Sequence, residues 1–441
     1  IYMAGHRHSL VELFSVPDLI RMNRVFVFFK DFFWSYHGSV SCKNIILQSI
    51  HSIGLWYGPK IYGIYGLAKI CILCFLITNL TQMIAVVMAT DNAKKLYACF
   101  SVLPFCTIGF LKMWSLFWNE KCWRSIITQA SSLEYEQLNN SYTPYEYESD
   151  DENENNFSKH IDSYTKNFFL VSNRLSQIYI FTAIVYVVSP FLEYGIYLYT
   201  GQPVKSIPHI LPGWYPLDRY TFAYIITIFM EMVAAFYCVR VHIVYDVTAI
   251  GLMIFIRGQF SCLHDYSELI GGKGKSCDIS TRRDERALYR IKKCHRFHVL
   301  LIKTIHELDS LIHNILGIYF FVTALTLCSV AVQLNSEHAS ITHLISLLQY
   351  MGASITQLFL FCHYGNAVLN ESSVPNGRGP FCSAIWCLSV NVRREIAILC
   401  VGMSRCYKIS AGPFNSLNLS SFIQIIRTTY SYYAFLRQST K

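Results

Sequence analysis

The sequence predicts an all-α, polytopic membrane protein with seven transmembrane helices, and three observations carry that expectation. Only 15% of the 441 residues are charged, against roughly 25% in a soluble domain, which is too few to cover a water-facing surface. Hydrophobic residues make up 53% of the chain, and its mean hydropathy is +0.32. The aromatic load of 30 Tyr, 30 Phe and 7 Trp suits membrane interfaces and aromatic-walled cavities.

Taken in order, residues 1–62 read as a cytoplasmic N-terminal segment. Arg7, Arg21, Arg24, Lys30, Lys43 and Lys60 interrupt apolar runs such as VFVFFKDFFW, and no small-residue cleavage site follows, so no secretory signal is expected. A helix needs about 20 apolar residues to cross hydrocarbon. Runs of that kind recur at 63–89, 96–118, 169–197, 221–250, 311–334, 341–367 and 414–437. The first four make up a bundle at 63–250, the next two a pair at 311–367, and the last closes the chain at 414–441. The loop 119–168 contains EYEQLNNSYTPYEYESDDENE, polar and acidic enough to be disordered. In the basic segment 251–310, residues 283–310 carry the amphipathic pattern of a helical extension of span five. Segment 368–413 contains the apolar stretch 381–402, which is short and bears Arg393 and Arg394 in its middle. It reads as a helix of a cytoplasmic anchor rather than one facing lipid.

Loop charge sets the orientation. Residues 251–310 hold Arg257, Lys273, Lys275, Arg282, Arg283, Arg286, Arg290, Lys292, Lys293, Arg296 and Lys303. The alternate loops offer only Lys94, Lys95, Lys205 and Arg219, and 335–340 has no Lys or Arg. The N terminus is therefore expected inside the cell and the C terminus outside.

Several function classes fall away. Asp218-Arg219-Tyr220 spells the DRY triplet of G-protein-coupled receptors, but it precedes span four on the outer side, and the topology is inverted relative to those receptors. Cys71 and Cys74 form a C-x-x-C inside an apolar helix with no second ligand pair, while zinc needs four ligands. The 16 cysteines read as reduced, mostly buried thiols. His306 in HELD lacks the second His of a zinc-protease helix. Neither a catalytic cluster nor inverted repeats of a transporter are visible, so no enzyme activity, cofactor, metal or nucleic-acid partner is expected.

Other residues point to a family. LP followed by WYP and Asp before span four, at 211–218, resembles the second outer loop of insect odorant receptors. The last hundred residues carry more: Cys362-His363-Tyr364-Gly365 as C-x-x-G after span six, then Trp386, the pair Arg393-Arg394, AGPF at 411–414 and SYYAF in the final helix. The resemblance implies an odorant-gated, non-selective cation channel of four subunits in the plasma membrane of a sensory dendrite, each lending its last helix to a central pore. It also implies a heterotetramer with a co-receptor. The absence of a long insertion in 251–310 favours a tuning subunit over the co-receptor. Gustatory receptors, which can act as homomeric channels, are the nearest alternative; their T-Y, five residues, Q-F pattern stands here as Ser431-Tyr432, five residues, Gln438-Ser439.

On that resemblance Phe435 and Gln438, three apart and so on one helix face, correspond to a hydrophobic gate and an amide constriction, with Ser439 beside them. A small volatile ligand calls for an aromatic cavity among the spans. The resemblance implies walls from spans two, three, four and six, and depth in the membrane nominates Tyr97, Ser101 and Phe105 on span two, and Tyr179, Thr182 and Tyr186 on span three. Span four offers Tyr224 and Ile228, and span six offers Tyr350, Met351 and Ser354. A Kd of ~1 μM corresponds to about 8 kcal/mol, within reach of roughly a dozen heavy atoms by dispersion and desolvation. Lys69, Glu231, Arg240 and Asp246 are ionisable groups inside spans, where such groups are functional candidates or bundle-internal pairs. Membrane lipid is the remaining expected partner.

Overall fold

A computed structural model of the chain describes residues 42–56, 62–89, 93–139, 156–201, 207–216, 220–272, 279–334, 341–374, 378–413 and 415–439. Asp218, Arg219 and most of the acidic stretch lie outside the described residues. The helices are α1 (Cys42–Ser52), α2 (Tyr62–Met88), α3 (Ala93–Trp118), α4 (Glu120–Asn139) and α5 (Asn156–Thr200). They continue with α6 (Thr221–Ser267), α7 (Thr281–Leu334), α8 (Ile341–Glu371), α9 (Val390–Met403) and α10 (Leu419–Ser439). A two-residue hairpin, β1 (Ser410–Ala411) paired antiparallel with β2 (Asn415–Ser416), leads into α10.

The all-α expectation holds, and α2, α3, α5, α6, α7 and α8 are long and apolar enough to cross a membrane. The seventh expected span forms the 21-residue α10, which carries Arg427 and Arg437. Ile70, Leu73, Ile77 and Leu80 stand exposed along one face of α2, the surface that lipid would cover. The opposite case is α6, where every side chain from Arg240 to Ile256 is buried. A helix apolar on all sides belongs in a core, and α2, α3, α5, α7 and α8 all pack around α6.

Three boundaries depart from the sequence reading. The loop 119–168 is helical over Glu120–Asn139 and again from Asn156, where α5 begins well before residue 169. Residues 251–267 continue α6 because GLMIFIRGQF has no proline and its two glycines stand singly in an apolar run; the helix ends only before the Gly271-Gly272 turn. Within 381–402, Pro380–Cys382 and Ile385–Cys387 form single 3₁₀ turns, and the α-helix starts at Val390. Arg393 and Arg394 lie on its exposed face, while Val392, Ile396, Leu399 and Met403 are buried against the rest. The N-terminal segment also contributes core: Ile45, Ile46, Ile50 and Ile53 of α1 and its following turn are buried. Arg240 donates to Ser52 Oγ from Nη2 at 2.8 Å, tying α1 to α6.

The seat of α10 explains two of the glycines in the family-like motifs. Asp309 of α7 accepts from Ser410 N at 2.7 Å, and Gly412 N donates to His313 O at 2.9 Å. Gly412 has φ of 68°, and a Cβ on Gly317 would stand 2.6 Å from its Cα. On α8, a Cβ on Gly365 would meet Leu417 O at 2.6 Å. Only glycine permits backbones this close.

Candidate ligand-binding site

Four spans and one loop enclose an apolar cavity of about 70 Å³. The wall comes from Val102, Phe105 and Cys106 of α3 and from Tyr179, Thr182, Ala183, Tyr186 and Val187 of α5. Ala235, Cys238 and Val239 of α6 and Tyr350, Ala353, Ser354 and Gln357 of α8 complete it, with Leu211 from the 207–216 loop. On each helix these residues recur at three- and four-residue intervals, the spacing of a single face. Room arises because small residues (Ala183, Ala235, Ala353) stand opposite aromatic ones. The volume is under half the ~150 Å³ that holds a benzene ring, so a larger guest must part the wall.

Of the residues nominated from the sequence, Phe105, Tyr179, Thr182, Tyr186, Tyr350 and Ser354 meet here. Ser101 and Met351 lie on the same helices but do not line the space. Ser101 donates to Ala98 O at 2.8 Å, and its own carbonyl accepts from Tyr350 OH at 3.2 Å. Met351 follows Tyr350 by one residue, a rotation of about 100° around the helix. Tyr224 is turned to the loop, donating to Pro208 O at 2.8 Å, and Ile228 packs on the core near it. The side chain of Tyr97 lies outside the described residues, as do those of Gln438 and Ser439. Phe435 is 67% exposed on α10, so this chain does not cover it.

One end of the cavity is closed by a loop that Glu231 holds in place. Its Oε2 accepts from the backbone N–H of Ile210 at 2.8 Å and Leu211 at 3.3 Å, while Oε1 meets His209 Nδ1 at 2.9 Å. His209 stacks on Tyr215 with ring centroids 4.7 Å apart. Trp214 N donates to Thr81 O at 3.2 Å, pinning the far side of the loop to α2. The carboxylate satisfies loop amides that would otherwise be orphaned in an apolar bundle.

The other end is a buried charge cluster. Asp246 accepts from Lys112 Nζ at 2.6 Å, Tyr179 OH at 2.9 Å and Gln357 Nε2 at 2.7 Å. Lys112 and Asp246 have fully buried side chains. Lys112 also donates to His242 Nδ1 at 3.1 Å, which leaves the His242 Nε2–H to donate to Phe105 O at 3.1 Å. The ammonium lies 5.4 Å from the Tyr245 ring centroid, 5.3 Å from Tyr319 and 5.9 Å from Phe361, a cation–π cage. Phe105 in turn stacks on His242 at 4.1 Å. Tyr179, Gln357 and Phe105 thus touch both the cavity and the charges. Sequence reasoning nominated Asp246 but missed Lys112, although an ionisable residue within a span was signal enough.

Outside the spans, α4 docks through a second polar set. Tyr164 OH donates to Glu134 Oε1 at 2.7 Å, and burial raises the Glu134 carboxyl above its ordinary value. Gln137 and Gln259 exchange amide hydrogen bonds at 2.6 and 3.0 Å. Among the described residues no group of His, Cys, Asp and Glu is arranged to hold a metal ion.

Comparison with known proteins gives this arrangement a family. Odorant receptor 13a of Drosophila melanogaster is 21% identical over 412 residues, covering 89% of this chain and 88% of that receptor. Odorant receptor Or2 of Anopheles gambiae is 22% identical over 173 residues, covering 38% of this chain and 44% of its own length. The insect olfactory receptor OR5 of Machilis hrabei, solved in complex with eugenol, shares the fold with a TM-score of 0.70 at 16% identity. That match covers 90% of this chain and 97% of OR5. The family profile described as 7tm Odorant receptor matches residues 92–430, and the chain accordingly belongs to the insect odorant receptor family, membrane receptors rather than enzymes.

Proposed function

We propose that this chain is a tuning subunit that binds a small volatile odorant in the cavity and opens a non-selective cation pore. The pore belongs to a tetramer completed by co-receptor subunits in the plasma membrane of a sensory dendrite. The observation that carries the reading is the path of α8. Tyr350, Ala353, Ser354 and Gln357 of this helix wall the cavity, and two turns further on Gly365 bears on Leu417, the lead-in to α10. A guest that displaces α8 therefore displaces the seat of the final helix. Between α7 and α10 lies a cleft of about 280 Å³, which gives α10 room to shift. The exposure of Phe435 supports its placement toward a pore, and Gln438 lies one turn beyond it in α10.

In this reading the basic 251–310 region and α9 lie in the cytoplasm, and the 207–216 loop closes the cavity from outside. Ile398 and Val401 of α9 are exposed beside Arg393 and Arg394, an apolar face suited to subunit contact in a cytoplasmic anchor. The test is current recorded under an odorant panel from cells expressing this chain with and without a co-receptor. Odorant-evoked current only on co-expression is the expected result. Large odorant-evoked current from this chain alone contradicts the co-receptor dependence. Silence in both, with normal surface expression, contradicts the channel reading.

A further inference from the structure

Away from the cavity, the exposed side of α10 has a pattern of its own. The helix sits on the protein through Ser421 and Ile425, which are buried, with Phe422 and Ile426 packed on the core beside them. On the other side Ser420, Gln424, Arg427, Ser431 and Phe435 are all exposed. They recur at intervals of four, three, four and four residues, and the position of Gln438 follows three residues later. At 100° per residue these six positions fall within an arc of about 80°, one line along the whole helix. Five of the six are polar, and the apolar Ile423 and Tyr430 border the line. No carboxylate among the described residues pairs with Arg427.

A charged side chain turned to hydrocarbon is unfavourable, and so is a row of amides and hydroxyls. Such a line belongs against water. It is also the line that carries Phe435, so a pore that Phe435 faces is faced by Arg427 as well. Helical rise puts Arg427 about 12 Å from Phe435, on the cytoplasmic side when the C terminus is outside. We infer that Arg427 is a fixed-charge filter in the cytoplasmic half of the conduit. Its guanidinium thins out cations arriving from the cytoplasm and so favours inward over outward current. The inference rests on α10 lining the pore. A monovalent cation passing about 8 Å from one guanidinium in water is depleted roughly 1.4-fold at about 150 mM salt and roughly 1.9-fold at about 15 mM, where screening is weaker.

The experiment uses inside-out patches from cells co-expressing this chain with a co-receptor, opened by the odorant that gives the largest current in the panel. Single-channel conductance is measured in both directions, at about 150 and about 15 mM symmetrical sodium, for wild type, Arg427→Lys, Arg427→Gln and Arg427→Glu. Arg427→Lys should match wild type. Arg427→Gln should raise outward conductance by the two factors above, and Arg427→Glu by roughly their squares, with inward conductance changing less. Ser431→Lys adds a cation to the same line and should lower outward conductance about 1.4-fold at the higher salt, which keeps the test decisive if the Arg427 variants do not reach the surface. Phe435→Ala, run in parallel, reports on the pore itself. If Phe435→Ala raises basal current but no charge variant changes conductance, Arg427 lies against headgroups or a neighbouring subunit; the inference is overturned and the pore reading stands. A rise of equal size at both salts and in both directions overturns the electrostatic role likewise. If Phe435→Ala also leaves the current unchanged, the pore reading fails and the inference with it.

Discussion

The Lys112–Asp246 pair offers the sharpest perturbation of the fold. Lys112→Met removes the ammonium and leaves a fully buried carboxylate holding only Tyr179 and Gln357. Asp246→Asn leaves a buried ammonium with His242 Nδ1 as its remaining acceptor. Stranding one partner of a buried pair costs about 3–5 kcal/mol, a large share of the roughly 5–15 kcal/mol that holds a protein folded. The double variant behaves differently. Tyr179 and Gln357 both donate to Oδ2, so an Asn carbonyl oxygen placed there keeps both bonds. The residual cost is then on the order of 1–3 kcal/mol, and the two substitutions couple favourably by about 3 kcal/mol or more. At roughly 2 °C per kcal/mol, the low end for larger domains, each single variant lowers the apparent Tm by about 6–10 °C and the double by less than either. Thermal unfolding of detergent-purified receptor, followed by loss of the monodisperse peak, reads this directly. Additive losses in the double, or single variants as stable as wild type, refute the pairing.

Three further outcomes are expected. Glu231→Ala orphans the Ile210 and Leu211 amides, so hydrogen exchange over 207–216 should rise at least tenfold while peptides from α9 stay unchanged; equal protection would show the loop is held otherwise. Gly365→Ala drives a methyl group into the Leu417 backbone, and overpacking of about 1–3 kcal/mol should lower surface expression and odorant-evoked current, whereas Gly352→Ala, with open space around it, should be silent. Phe435→Ala should raise current without ligand by removing apolar closure, and Gln438→Glu should raise calcium permeability relative to sodium; co-receptor helices dilute both effects, and unchanged basal current with unchanged reversal potentials would place this face away from the ion path.

How far the sequence was legible follows from what each residue signals. Span length and apolarity located the crossings because lipid imposes both. Helix ends outside lipid were harder: residues 251–267 and 156–168 are bounded by protein contacts that no local pattern announces. Phe105, Tyr179, Tyr186 and Tyr350, which line the cavity, were nominated because aromatic residues at the right depth are the obvious wall. Ala183, Ala235, Cys238 and Ala353 were missed because small residues make the space and carry no signal alone. Tyr224 stood at a suitable depth but was taken by Pro208 of the loop, a long-range contact invisible in sequence. Gly365 and Gly412 were legible as motif letters, while their reason, backbones crossing at van der Waals limits, needed the fold.

The central claim, that odorant binding to this chain opens a cation conductance without an intermediary, is tested most directly in excised patches. Membrane from cells co-expressing this chain and a co-receptor is withdrawn into solution free of nucleotides, and an activating odorant is applied to the outer face. A cation current that rises on application and decays on washout, unaffected by the absence of GTP and ATP, is the predicted result. A response present in whole cells but lost in the patch, and restored by GTP, would contradict the account.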